Sequence, residues 1–172
     1  MKKAIVVVDM QNDFVTGALG SPAAAAVIPG IAAFLEANAA SENPADVFFT
    51  MDTHGEDYLQ TQEGRKLPVP HCIRGTDGWK ICPGLAPFAE KARVIEKPVF
   101  GSPELGAALR GYGEVTLTGV CTDICVISNA MVIRAFSPET AVKVAASLCA
   151  GTSAENHENA LKALRCCQAE IV

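Results

Sequence analysis

The stretch from Lys3 to Asp9, KAIVVVD, decides how the chain folds. Five apolar residues in succession, four of them β-branched, make a strand, and the lack of polar alternation means that both of its faces are covered. Such a strand belongs to a parallel sheet sandwiched between helices. The same character returns at DVFFTMD (46 to 52), ARVIEK (92 to 97), EVTLTG (114 to 119), AVKVAA (141 to 146) and a short AEIV (169 to 172). Longer amphipathic stretches separate these runs, and helices are expected over 29 to 41, 103 to 110, 123 to 136 and 153 to 165, with Pro103 and Ser153 suited to helix starts. The alternation predicts an α/β fold: one domain over residues 1 to 172, a doubly wound sheet of about six mostly parallel strands with helices on both faces. Only residues 55 to 88 break the rhythm. With four prolines, five glycines and no sustained period, they read as a long excursion of the kind that carries function in compact domains.

Composition narrows the function. The 172 residues are 49% hydrophobic and carry a net charge of -5, which argues against disorder and against a nucleic-acid partner. The basic start MKK runs into an apolar stretch, but Asp9 ends it after five residues, so no export signal is read there. Apolar runs such as AIVVV and MVIRAF fall far short of the roughly 20 residues of a membrane-spanning helix, and a soluble protein without a membrane partner is expected. Seven cysteines, an odd number without framework spacing or any C-x-x-C pair, are expected as thiols in a reducing cytoplasm.

In an open parallel sheet the loops leaving the carboxyl ends of the strands share one rim, and ligands bind there. Asp9 ends the first strand, Asp52 and His54 the second and Lys97 the third, while the fourth runs through Gly119 into Cys121 and Cys125. Taken singly, each has an ordinary explanation: a turn-forming aspartate, a solvated lysine, small buried thiols. Their coincidence on one rim marks a reacting constellation. Cys125 is favoured among the thiols, because a helix starting near Thr122 and Asp123 presents free N–H groups and its positive dipole end to a thiolate in the first turn. Cys121 precedes that turn, and its backbone N–H, with that of Cys125, suits an oxyanion hole. Cys149 is placed near the rim, and Cys166 and Cys167 at a helix end.

Asp52 and His54 lie two apart on an extended segment, hence on one side of it. A third ligand is available in His71, held between prolines in PVPHC. One carboxylate and two imidazoles suit a divalent metal with open positions, zinc before iron or manganese. Glu56, Asp57 or Glu63 is a candidate further ligand. His157, in ENHENALKAL, is expected at the surface.

The motifs VVDMQNDF (7 to 14), MDTH (51 to 54), PVPHCIRGTDG (68 to 78), EKPVF (96 to 100) and TGVCTDICV (118 to 126) resemble, in order and spacing, the nicotinamidase branch of the isochorismatase-like cysteine hydrolases. The resemblance spans nearly the whole chain. It implies a catalytic triad of Asp9, Lys97 and Cys125, a metal held by Asp52, His54 and His71, and a non-proline cis peptide between Val120 and Cys121. It further implies hydrolysis of nicotinamide to nicotinate and ammonia through a thioester, within NAD salvage, with homo-oligomers common. In that family the metal grips the pyridine nitrogen, and an aromatic residue often stands three positions before the histidine. Here that position is Pro68, so Phe14 and Phe100, with Val120, are the expected pocket residues. Two alternatives stay open: an amidohydrolase of the same fold acting on another small amide, and a non-catalytic thiol or metal-binding protein.

Overall fold

A computed structural model describes all residues from 1 to 172. Strands β1 (Lys3–Val8), β2 (Asp46–Asp52), β3 (Arg93–Lys97), β4 (Glu114–Val120), β5 (Ala141–Ala150) and β6 (Glu170–Ile171) form one sheet in the order β3-β2-β1-β4-β5-β6. Every neighbouring pair is parallel. The apolar run of β1 lies near the middle of the sheet and feeds both cores: Ala4, Val6 and Val8 enter one, Ile5 and Val7 the other. The first core is closed by α5 (Pro103–Ala108), α6 (Ile127–Phe136) and α7 (Ala154–Cys166), the second by α1 (Asn12–Val15), α2 (Pro22–Ala39) and α4 (Ala86–Ala89). Fully buried aliphatics such as Leu117, Ile133 and Ile31 each contribute about 1.5–3 kcal/mol by leaving water. The chain leaves β1 towards β2 on one side and returns to β4 on the other, so the β1/β4 boundary is the switch point where a crevice opens at the strand ends.

Three expectations need correction. Helix α2 begins at Pro22 rather than 29, because Ser21 Oγ caps it by accepting from the Ala24 N–H at 3.1 Å and the alanines that follow are strong helix formers. Pro29 sits inside it on the exposed face. By length and hydropathy alone this helix is apolar enough to cross a membrane, yet it buries Ala24, Ile31 and Leu35 in the second core. The helix expected over 123 to 136 comes in two pieces, a π-helical turn (Thr122–Val126) followed by α6, and wide turns of this kind gather at functional sites. The excursion from 55 to 88 is not structureless. It holds a 3-10 turn (Tyr58–Gln60), α3 (Gln62–Lys66) and α4, and is stitched down by bridges between Gln11 and Ile81 and between His54 and Ile73.

Candidate active site

The rim residues meet where register dictates. Val8 pairs with Thr50 on one side and Gly119 on the other, so the residue after β1, Asp9, stands between the ends of β2 and β4. Asp9 adopts φ +48°, a left-handed conformation that aspartate tolerates better than most residues. Gly119 has φ +103°, and a Cβ there would meet Val8 O at 2.2 Å, so only glycine permits β4 to approach β1 this closely. The next-but-one peptide, Val120–Cys121, is cis, in agreement with the resemblance. On the other flank Asp52 pairs with Lys97 across β2 and β3.

Lys97 joins the parts. Its side chain is only 1% exposed, and Nζ lies 2.7 Å from Asp9 Oδ2, 3.5 Å from Cys125 Sγ and 3.6 Å from Asp52 Oδ1. Burial disfavours its ammonium, but Asp9, Cys125 and Asp52 outweigh that and hold it well above the usual lysine range. Asp9 Oδ1 accepts from the Thr50 hydroxyl at 2.6 Å, and Oδ2 is reached by the Lys97 ammonium. Complete burial pushes the Asp9 carboxyl up despite the opposing pull of Lys97, which makes it a stronger base than an exposed aspartate. Burial, reinforced by Asp9, also pushes the Cys125 thiol well up. Burial thus favours a thiol beside a base. Cys121, half-buried, is raised to about 12 by burial and then by Asp123. Cys149 is buried beneath the rim with Sγ 3.9 Å from Leu117 O, and Cys166 and Cys167 are exposed.

The second cluster hangs on the first through Asp52. Asp52, His54, Glu63 and His71 bring one donor atom each to within 4.8 Å of one another. His71 Nδ1 donates to Val69 O at 2.8 Å, which leaves the lone pair of the neutral ring on Nε2. That nitrogen faces Asp52 Oδ2 at 3.4 Å and Glu63 Oε1 at 3.7 Å, and His54 Nε2 faces the same oxygens at 3.0 and 3.8 Å. A lone pair aimed at two carboxylates is repulsive unless a cation lies between them, and buried Asp52 Oδ1 has no hydrogen-bond donor. The donor set fits a divalent cation. Burial and then Asp52 push Glu63 up. Glu56 and Asp57, the other candidate ligands, are exposed and stay outside the cluster.

Residues without a sequence signal hold this cluster in place. The fully buried Gln11 amide pairs with Asp52 as a neighbouring strand would: Oε1 accepts from the Asp52 N–H at 2.7 Å, and Nε2 donates to Asp52 O and Trp79 O at 2.8 Å each. Asp13 Oδ2 accepts from the Cys72 N–H at 2.7 Å, tying the His71 loop to α1. Tyr58, its ring centroid 4.7 Å from that of His54 and 5.0 Å from that of His71, props both imidazoles. The sequence hints at Gln11 only by its place in the VVDMQNDF motif, which assigns it no role. His157 departs from expectation: it is half-buried, with Nδ1 2.8 Å from Thr122 Oγ1.

A cavity of about 860 Å³ opens on both clusters, lined by Cys125 and Cys121 on one side and Asp52, Glu63 and His71 on the other. Phe14, Phe100 and Val120 also line it, and Phe14 stands edge-on to His71 with centroids 5.6 Å apart. Pro68 is exposed and lies outside it. The arrangement brings to one largely apolar chamber a thiol, backed by a buried base and a buried cation, and a metal-binding donor set.

The isochorismatase domain model matches residues 3–172. The chain is 32% identical to the nicotinamidase/pyrazinamidase of Mycobacterium tuberculosis over 99% of this chain and 98% of that protein. Among solved structures it resembles the nicotinamidase/pyrazinamidase PncA of Bacillus subtilis, with a TM-score of 0.85, 30% identity and full coverage of both chains. It likewise resembles the pyrazinamidase of Pyrococcus horikoshii in complex with zinc, with a TM-score of 0.82, 28% identity and coverage of 100% and 99%.

Proposed function

The chain belongs to the isochorismatase family, and on that premise we propose that it is a metal-assisted cysteine amidohydrolase that converts nicotinamide to nicotinate and ammonia. The observation that carries this reading is Lys97 Nζ, 2.7 Å from Asp9 Oδ2 and 3.5 Å from the Sγ of Cys125, where Cys125 lines a cavity that Asp52, Glu63 and His71 of the metal-binding donor set also line. Residues 1 to 172 form a single hydrolase domain in this reading. Nicotinate would enter NAD salvage in the cytoplasm, and the folded chain would assemble as a homo-oligomer.

Catalysis begins from a neutral thiol. Asp9 Oδ2, held beside the Lys97 ammonium, takes the proton from Cys125, and the sulfur attacks the carboxamide carbon. Lys97 stays protonated and compensates the negative charge that passes between carboxylate and sulfur. The backbone N–H groups of Cys121 and Cys125 hold the oxyanion. Collapse of the tetrahedral adduct expels ammonia with the proton from Asp9, leaving a thioester. Asp9 then takes a proton from water, the hydroxide adds to the thioester, and the thiolate leaves and recovers its proton. Asp52, His54 and His71, with Glu63 as the fourth, would hold the divalent ion, zinc before iron or manganese, which supplies a Lewis-acid anchor for the pyridine nitrogen. Phe14, Phe100 and Val120 give that ring apolar walls.

One observation favours a second reading, another small amide as substrate: Pro68 contributes no ring to the cavity. Comparing kcat/KM for nicotinamide, pyrazinamide and a non-pyridine amide separates the two. The main test is ammonia release from nicotinamide. Cys125→Ala is expected to abolish it with the fold intact, Cys121→Ala to keep much of it, and a chelator to lower it. Wild-type rates from Cys125→Ala would end the nucleophile assignment.

A further inference from the structure

The turn that carries Cys125 is anchored from outside the catalytic machinery. Thr122, between Cys121 and Cys125 in sequence, is fully buried, and its Oγ1 shares a 2.8 Å hydrogen bond with Nδ1 of His157 on α7. One residue on, Asp123 Oδ1 accepts from the Thr152 N–H at 2.9 Å and Oδ2 from the Thr152 hydroxyl at 2.5 Å. Asn156 Nδ2 donates to Thr152 Oγ1 at 2.8 Å, which closes the network onto the first turn of α7. Ser153 caps that turn by accepting from the Asn156 N–H at 3.1 Å. Gly151 fits beneath His157: a Cβ at 151 would come within 2.9 Å of the His157 backbone, so the corner packs tightly against the helix.

From this we propose that His157 is a positioning residue for the oxyanion hole, holding the backbone between Cys121 and Cys125 in place through Thr122, with Asp123 and Thr152 as the second point of attachment. The inference rests on the oxyanion role proposed above for those two N–H groups. Two attachments on consecutive residues fix both the position and the rotation of a short segment, whereas one fixes only position. A π-helical turn has wider hydrogen-bond spacing than an α-helix and benefits from such outside support. The support bears on a geometry that matters when charge develops on the substrate oxygen, not when the substrate binds. Its loss therefore lowers kcat and leaves KM in place.

The test uses the metal-loaded full chain and nicotinamide. His157→Ala and Thr122→Val are each expected to lower kcat about 10-fold, less than the roughly 100- to 1,000-fold loss on removing an oxyanion donor outright, with KM unchanged within about twofold. The double variant is expected to lose no more than either single one, since both remove the same bond. His157→Asn, whose amide reproduces the reach of Nδ1, is expected to recover most of kcat. Folding is followed by the thermal midpoint and by the rate at which a small alkylating agent labels Cys125. A folded His157→Ala with unchanged kcat, an additive double variant, or kcat and KM moving together would overturn the inference. An inactive wild-type protein would instead sink the proposed function, which separates the two failures.

Discussion

The two halves of the site are held by different means. Asp9 directly follows β1 and Lys97 ends β3, and the parallel ladder that pairs Val8 with Thr50 and Gly119, and Asp52 with Lys97, fixes where these two side chains begin. His54, Glu63 and His71 lie beyond the end of β2, in segments held by two isolated bridges, by the Gln11 side chain on Asp52 and Trp79, by Asp13 on the Cys72 N–H and by the ring of Tyr58. A ladder spreads positional control over many backbone hydrogen bonds, so one substitution in the first half removes chemistry without moving its neighbours. In the second half one substitution frees a ligand.

The sharpest test of this contrast is Lys97→Met, which keeps the length and the apolar stem but removes the charge. Activity is expected to fall at least about 1,000-fold, within the range for positioned acid–base groups, because Asp9 and the developing thiolate lose the cation between them. Metal content of the purified protein is expected to persist, since Lys97 reaches only Asp52 Oδ1 at 3.6 Å in the second cluster. Loss of metal together with activity would show that the halves are not separable.

Gln11→Leu probes the loop-held half with a smaller expected effect. It deprives the Asp52 N–H, Asp52 O and Trp79 O of their partner in a fully buried place, at about 1–3 kcal/mol for each group left unpaired. Because Asp52 is a ligand, metal affinity is expected to drop about 10- to 100-fold, the usual consequence of losing a group that orients one. Competition with a chelator of known affinity measures it. Alkylation of Cys125 is expected to proceed at the wild-type rate, and a changed rate would mean that Gln11 also supports the first half.

The same division explains what the sequence disclosed. Strands declare themselves through apolar runs, and a parallel sheet puts its strand ends on one rim, so Asp9, Asp52, Lys97 and the two cysteines were legible together. His54 and His71 stood out by residue type. Gln11 did not, because a glutamine that imitates a strand partner leaves no periodic trace, and Glu63 was indistinguishable from Glu56 and Asp57 until α3 turned it inward. Helix α2 starts seven residues earlier than expected, because the Ser21 cap and the alanines that follow it carry the helix through Pro29. The raised thiol of Cys125 leaves no local signal, because burial depends on the whole fold.

The mildest intervention, Thr50→Val, concerns the tuning of Asp9 rather than its placement. The Thr50 hydroxyl donates to Asp9 Oδ1 at 2.6 Å, a bond that favours the ionised form and so pulls the carboxyl down against the larger effect of burial. Asp9 must be ionised to take the thiol proton, so activity is lost as pH falls through its raised value. Removing the hydroxyl raises that value further. The acid limb of kcat/KM is therefore expected at higher pH in Thr50→Val, with plateau activity within about threefold of wild type, since Oδ2, Lys97 and Cys125 keep their contacts. A limb moved to lower pH would mean that the titrating group is not Asp9 in its ladder-held position, and the assignment of base and cation in the first half would have to be exchanged.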